Sequence, residues 1–355
     1  MKLFKNFNQH VPLFFQSVYD LFTGAIPYVG YPENKNLGDV ELLNIAKKHL
    51  PYKRYAYNVG KRGRYVRLAV GRNKYFIVGG GTLMFSRQIL DECLILTNLG
   101  LVPIFMGTGS GEVILDVETV ALDWKEVLSK SPFLGVRGEF TIRALKKIGI
   151  DGQLCGDLGY LLNLDFEKPS NFENYVVITP RSIRPTVYEY YEEDFETRKK
   201  LKFLIEQLIN KGIRVIVNAV SIDDYKVVKA WVKSIRGPIE YIEYNDDFQK
   251  YVDLLSKARL LVSMRMHPGI FALAMGVFPF ELDGRIKFKD SFSLIENESE
   301  DSYCLIDPSS ITAEALTSKV LEKYYSENDD TRLHRFKLVS KLAQLQRSYC
   351  KSLPT

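Results

Sequence analysis

Apolar runs of four to eight residues alternate along the chain with longer stretches in which apolar positions recur every three or four residues. This is the pattern of parallel strands connected by helices. In the first half, 25–31, 54–58, 75–78, 102–106, 133–136 and 152–155 predict strands, and 40–50, 87–99, 122–129 and 139–148 predict helices. Gly149 follows the last of these as a C-cap. Between 163 and 174 the pattern lapses into the polar NLDFEKPSNFEN, which marks a boundary. The expected domains are therefore 1–168 and 169–355. The second half restarts with strands at 175–179, 214–218, 239–244, 260–263, 278–282 and 303–306. Helices are expected between them at 194–211, 224–233, 247–257, 270–275 and 289–295. Beyond Ile311 the chain reads as helix, broken near Asn328.

Two such α/β halves predict two Rossmann-like lobes facing a central cleft, with ligands at the carboxyl ends of both sheets and a helical C-terminus. The first 23 residues form a separate case. Leu3, Phe4, Phe7, Val11, Phe14, Phe15, Val18, Leu21 and Phe22 fall largely on one side of a helix, with Lys2 and Lys5 near its start. Such a segment suits either docking against the protein's own body or peripheral association with a membrane surface. The first reading is preferred, because only two lysines support the second.

Composition narrows the possibilities. With 355 residues and 46% hydrophobic content the chain can build two cores. The 48 basic and 43 acidic residues leave a net charge of +5, too dilute to call for nucleic acid but favourable to phosphorylated or carboxylated ligands. Cys93, Cys155, Cys304 and Cys350 have no metal-ligand spacing, so no metal is expected and a reducing cytoplasm fits. There is no run of about eighteen apolar residues and no cleavable leader, which predicts neither a membrane span nor export. Oligomeric state is not legible.

The candidate chemistry is densest in LLVSMRMHPGIFALAMGVFPFEL, residues 260–282. Arg265 and His267 end a strand-like run just before a helix-like one, where a parallel sheet meets its ligands. Their alternation with Met264 and Met266 would put both on one face of an extended strand. Asn36-Leu37-Gly38-Asp39 follows the first strand, with Asp39 either an N-cap or a ligand-facing carboxylate. Gly79, Gly80, Gly81 and Thr82 end another strand and offer backbone N–H groups to an anion or a sugar hydroxyl. They match neither a P-loop nor a dinucleotide fingerprint. Gly107-Thr108-Gly109-Ser110-Gly111 reads as a plain turn. Arg137, in Val136-Arg137-Gly138-Glu139, suits either a ligand or a salt bridge to Glu139 or Asp157.

The chain resembles the polysaccharide pyruvyl transferase family. The resemblance rests on Ser263-Met264-Arg265-Met266-His267, on Ala272-Leu273-Ala274-Met275-Gly276-Val277 and on Lys287. It extends to the Asn36–Asp39 and Gly79–Thr82 turns, to Val136–Glu139 and to Cys155-Gly156-Asp157, in matching order from 36 to about 290. It implies a GT-B-like fold, with the acceptor on the first lobe and the donor on the second. It implies transfer of the enolpyruvyl group of phosphoenolpyruvate onto two hydroxyls of a sugar, giving a pyruvate ketal and phosphate. No cofactor beyond the donor is implied. His267 is then the general acid, with Arg265 and Arg181 on the phosphate. Lys287, Arg137, Asn36, Gly38, Asp39 and Gly79–Thr82 complete the substrate contacts. Arg184 rivals Arg181, and Lys287 has a solvated-lysine alternative beside Arg285 and Lys289.

The implied acceptor is a sugar, an oligosaccharide or a lipid-linked saccharide of a cell-envelope, capsule or exopolysaccharide pathway. The implied place is the cytoplasm, at the inner face of the membrane. Two other readings stay open. A nucleotide-sugar glycosyltransferase of the same fold would use a residue such as Glu281, and a catalytically silent member would only bind an oligosaccharide. The chain departs from the family pattern at Pro268-Gly269 and at Asp283-Gly284-Arg285-Ile286, which bears on the placement of Lys287.

Overall fold

The computed structural model describes residues 2–31, 36–57, 62, 65–110, 118–182, 191–245, 247–296 and 302–354, with backbone alone for 2–11, 118–122, 191 and 296. Thirteen strands are present among them: β1 Ile26–Val29, β2 Tyr55–Tyr57, β3 Tyr75–Val78, β4 Gly81–Met84, β5 Val102–Ser110, β6 Leu134–Val136, β7 Gln153–Leu154, β8 Tyr175–Thr179, β9 Arg214–Asn218, β10 Glu240–Ile242, β11 Leu260–Ser263, β12 Phe278–Leu282 and β13 Cys304–Ile306. The helices are α1 Lys2–Thr23, α2 Leu37–His49, α3 Val66–Val70, α4 Arg87–Asn98, α5 Glu118–Leu128, α6 Glu139–Lys147, α7 Tyr191–Asn210, α8 Ile222–Val232, α9 Phe248–Ser256, α10 Met266–Ala274, α11 Ile286–Glu296, α12 Ala313–Ser326 and α13 Asp329–Ser352.

The chain divides into two compact units. Unit 1 comprises Met1–Pro32, Leu42–Leu158 and Leu345–Thr355, and unit 2 comprises Glu33–Glu41 and Gly159–Gln344. The expected single cut after 168 thus becomes a division near 158, with two exchanges of chain. The last turns of α13 belong to unit 1, and the Asn36–Asp39 turn belongs to unit 2.

Unit 1 holds a parallel sheet in the order β2-β1-β3-β5-β6-β7, with β4 paired to β5. β4 was not anticipated, because its Gly81-Thr82-Leu83-Met84 follows two glycines and reads as a loop. The core beneath the sheet is apolar on every element that covers it: Phe76 and Val78 of β3, Phe105 of β5, Leu90 and Leu96 of α4, and Trp124 of α5 are all fully buried.

Unit 2 holds a six-stranded parallel sheet in the order β10-β9-β8-β11-β12-β13. Counted from the start of the unit this is 3-2-1-4-5-6, the Rossmann order, which places the topological switch point between β8 and β11. Near-continuous apolar strands such as Tyr175–Thr179 and Leu260–Ser263, buried at every residue, are what a sheet covered on both faces requires. Phe278, Phe280 and Leu282 of β12 enter one core with Leu201, Leu204 and Leu208 of α7. Pro279 and Glu281 alternate to the opposite face, under α10.

Candidate active site at the carboxyl edge of the second sheet

In unit 2 every strand runs the same way, so the residues after β8, β11 and β12 share one edge of the sheet. Arg181 follows β8, Arg265 follows β11, and Asp283 and Arg285 follow β12. Arg181 and Arg265 therefore flank the switch point, where open α/β sheets bind ligands.

The turn from β11 into α10 is tighter than the strand pattern suggested. Ser263 Oγ accepts from Arg265 N at 2.8 Å and donates to Arg265 O at 2.7 Å, ending the strand. Arg265 is the extended N-cap (φ −123°, ψ 125°), and the helix begins at Met266 instead of Ile270. Arg265 and His267 are therefore not neighbours on one strand face. His267 lies in the first helical turn, where Pro268 is also tolerated because no intrahelical bond to its nitrogen is needed. Gly269 has a local cause as well. A Cβ there would fall 2.6 Å from Cδ of Glu281 and 3.0 Å from Phe292, so the helix rests directly on the sheet.

His267 is nearly buried, its ring stacked on Phe271 with centroids 6.1 Å apart. Against it lies the Asn36–Asp39 turn. Asn36 Oδ1 accepts from Gly38 N at 3.0 Å, Leu37 N donates to Val220 O at 3.0 Å, and Asn36 forms a bridge with Ser221. A Cβ on Gly38 would come within 2.6 Å of His267 Cβ and Cγ, so glycine is required there for the imidazole to sit where it does. Asp39 lies half-buried in the first turn of α2. Asn36, Gly38 and His267 are thus brought together inside one unit. A cavity of about 150 Å³ opens beside Leu37, lined also by Asn218, Lys250 and Tyr251.

The cations are set in carboxylates that the sequence reading missed. Arg265 Nε and Nη2 donate to Asp224 at 3.0 and 2.5 Å, a two-pronged pair on a fully buried carboxylate. Asp224 Oδ1 also accepts from Ser182 N at 2.6 Å, which ties the loop after β8 to α8. Arg181 holds Asp194 through Nε at 2.9 Å and through Nη2, and reaches Asp283 through Nη1 at 2.9 Å. Arg285 wraps the same Asp283 through its backbone N, Nε and Nη2. Burial works to lower the Arg181 pKa, but its hydrogen bond to Asp194 and the charge of Asp283 outweigh this and hold it above the ordinary value.

Lys287 enters in the first turn of α11, half-buried, close enough to Asp283 to lower its pKa. Four cations, Arg181, Arg265, Arg285 and Lys287, thus share the edge with three carboxylates, Asp194, Asp224 and Asp283. Burial dominates at Asp283 and raises its pKa to about 7 against the pull of Arg181 and Lys287. Glu193 also acts on Asp283 there, and protonation of Asp283 as the pH falls through neutrality makes the edge more positive. Arg184, the rival to Arg181, lies outside the described residues.

Glu281 is fully buried below this edge, and neither of its oxygens has a hydrogen-bond partner among the described residues. Burial, with the charge of Asp283 adding to it, raises its pKa well above the ordinary carboxyl value and so favours the neutral acid. It presents no surface to a nucleotide.

The remaining sequence candidates lie in unit 1. Gly79 and Gly80 join β3 to β4, and Gly81 takes φ +100°. A Cβ on Gly79 would collide with the Tyr28 phenol, lying only 2.8 Å even from its Cε2. Arg137, after β6, is wholly buried, donates to Thr82 Oγ1 at 3.2 Å, and sits 4.0 Å from Asp157. Its guanidinium lies flat against Gly109, where a Cβ would come within 2.5 Å of Nε. Gly109, read as part of a plain turn, belongs to β5 and makes room for this arginine.

Unit 2 is thus a parallel α/β unit in Rossmann order that gathers cations and an imidazole at its switch point. The chain belongs to the polysaccharide pyruvyl transferase family, whose family model matches residues 25–277. No protein of curated function matches it in sequence. Its fold is similar to that of UDP-GlcNAc 2-epimerases, which share the GT-B-like architecture. The enzyme from Methanocaldococcus jannaschii, solved with UDP-GlcNAc and UDP, is 13% identical, with a TM-score of 0.54 over 92% of this chain and 99% of the other. The Neisseria meningitidis enzyme bound to UDP-GlcNAc is 11% identical, with a TM-score of 0.56 over 90% and 98%. The Rickettsia bellii enzyme is 12% identical, with a TM-score of 0.53 over 92% and 96%. At these identities the likeness is one of fold.

Proposed function

We propose that the protein transfers the enolpyruvyl group of phosphoenolpyruvate onto two hydroxyls of one sugar in a cell-surface polysaccharide or its precursor. The observation that carries this reading is the seat of His267 and Arg265 on the first turn of α10, beside Arg181 and at the switch point of unit 2.

Phosphoenolpyruvate brings about three negative charges, and each charge-assisted hydrogen bond to them contributes about 1.5 to 3 kcal/mol. Arg181, Arg265 and Lys287 are the groups assigned to phosphate and carboxylate. His267 protonates the methylene carbon, which becomes the methyl group and leaves an electron-poor centre at C2. One sugar hydroxyl attacks C2, the C2–O bond to phosphate breaks, and the second hydroxyl closes the ketal. Of the two hydroxyl protons, one restores the proton given by His267 and the other leaves with phosphate. Asp39, next in the chain to Gly38, is assigned as the base, and Asn36 as a hydroxyl partner. In unit 1, Gly79–Thr82 is assigned as a substrate-contacting turn, with Arg137 supporting it through Thr82 Oγ1.

The acceptor reading is tested by incubating the protein and phosphoenolpyruvate with nucleotide-linked and lipid-linked saccharides. Acceptor-dependent phosphate release together with a ketal methyl signal in proton NMR is expected. Transfer from a nucleotide sugar without either signal would replace this reading by a glycosyltransferase.

A further inference from the structure

The side of α1 that meets the protein buries two polar residues beside half-buried Leu13 and Val18, and the side that meets solvent is aromatic. Ser17 and Asp20 are buried, and Asp20 takes an ion pair from buried Arg62 at 2.5 Å. On the outer side Phe15, Tyr19 and Phe22 are 64%, 57% and 83% exposed, with Phe14 at 41%. The spacing of 15, 19 and 22 lines them up along one stripe. The helix does dock on the protein, through Ser17, Asp20 and half-buried Leu13 and Val18, but Phe15, Tyr19 and Phe22 of its apolar side stay outside. A contiguous exposed aromatic stripe marks an interaction surface.

The charge around the stripe says what covers it. From Leu42 to Leu90 the sequence contains eleven Lys and Arg and no Asp or Glu, in a chain whose totals are 48 and 43, so its basic excess is concentrated in this segment. This segment folds around the end of α1. Ile26 N donates to Arg54 O at 3.0 Å, Asn73 Nδ2 donates to Ala25 O at 2.8 Å, and Tyr65 meets Phe14 edge-on at 5.6 Å. Arg54, Arg72 and Lys74 are exposed there, close in the fold to the helix end that carries Phe22.

We propose that the outer face of α1 docks on an anionic lipid bilayer, with Phe15, Tyr19 and Phe22 entering the headgroup layer and Arg54, Arg72 and Lys74 meeting lipid phosphates. A second copy of the chain is the poorer occupant, because a two-fold contact would set the same cations against themselves. The association is peripheral, since no described helix is long and apolar enough to cross a membrane. This inference is independent of the reaction proposed above.

The test is cosedimentation of the full chain with vesicles of phosphatidylcholine alone, or containing about 30% phosphatidylglycerol, in low salt and in about 0.5 M salt. Binding to the anionic vesicles at least about tenfold above the neutral ones, reversed by salt, is expected. The triple variant Phe15→Ser, Tyr19→Ser, Phe22→Ser and the variant Arg54→Glu, Arg72→Glu, Lys74→Glu are each expected to lose about tenfold or more. Phe22→Ser alone, at the most exposed site, serves if the triple variants fail to fold by circular dichroism. Absence of binding to anionic vesicles, or binding indifferent to these substitutions, would overturn the proposal. So would a dimer in sedimentation equilibrium that Phe22→Ser dissolves, which would give the face to a second copy.

Discussion

A methyl group on Gly38 would fall 2.6 Å from Cγ of His267, although 229 residues separate the two along the chain. The imidazole thus owes its position to the absence of a side chain on a turn that the sequence places after the first strand of the other unit. Gly38→Ala is expected to push the ring off its seat, with an overpacking cost of about 1 to 3 kcal/mol. The rate of pyruvyl transfer should fall much more than donor affinity, since His267 is assigned to proton transfer. Turnover and donor titration on the same preparation separate the two effects. Equal loss in both would remove the special relation between Gly38 and the imidazole.

Asp224 orients Arg265 and is itself fully buried. Asp224→Asn should remove the charge that holds the guanidinium, and breaking such a pair costs about 3 to 5 kcal/mol when both partners are buried. Arg265 keeps some exposure, so about 2 kcal/mol is the expected loss in urea denaturation. Donor binding should weaken together with stability. A variant of wild-type stability would show that the pair contributes little.

Much of this frame is legible in the sequence, because strands buried on both faces announce themselves as continuous apolar runs. β3, β8, β9, β11 and β12 fall exactly on 75–78, 175–179, 214–218, 260–263 and 278–282. The start of α10 was hidden by Pro268, which signals a break to a sequence reader but fits a first helical turn. The anionic half of the site was hidden by distance. Asp194 and Asp224 lie 13 and 41 residues from their arginine partners, and Asp283, although Arg285 is only two residues on, lies 102 residues from Arg181. The apolar periodicity of 1–23 was visible, but which side faced the protein was set by the Asp20–Arg62 pair, which periodicity does not contain.

Asp283 loses its charge below a pH of about 7. Above that pH it competes with a bound anion for Arg181 and Arg285; below it Arg285 loses its charged partner and Arg181 keeps only Asp194. Affinity for phosphoenolpyruvate should therefore rise as the pH falls from about 8 to about 6.5, by up to about tenfold, equivalent to about 1.4 kcal/mol. Asp283→Asn should flatten this dependence and bind at pH 8 as the wild type does near the acidic end. An unchanged pH profile in the variant would assign the step to another group.

Burial raises the pKa of Glu281 in the fold above its value in the unfolded chain. Its folded pKa is raised, so its contribution to stability is complete below the ordinary carboxyl value of 4.5 and is lost as the pH rises toward the folded value. Glu281→Gln removes that loss. The variant should match or fall below the wild type near pH 5 and gain on it by up to about 1.4 kcal/mol per pH unit toward pH 8. Thermal denaturation across this range reads the difference. A gap that does not change with pH would mean that Glu281 is charged in the folded protein.

The central claim is that the arginines at the switch point hold the donor and that His267 moves a proton. Isothermal titration of phosphoenolpyruvate into the wild type, Arg265→Ala and His267→Ala tests it most directly. Binding by the wild type, a loss of more than about tenfold in Arg265→Ala (about 1.4 kcal/mol), and near-wild-type binding without turnover in His267→Ala are expected. Failure of the wild type to bind phosphoenolpyruvate, with candidate saccharides present, would contradict the account and leave a nucleotide sugar as the donor to test.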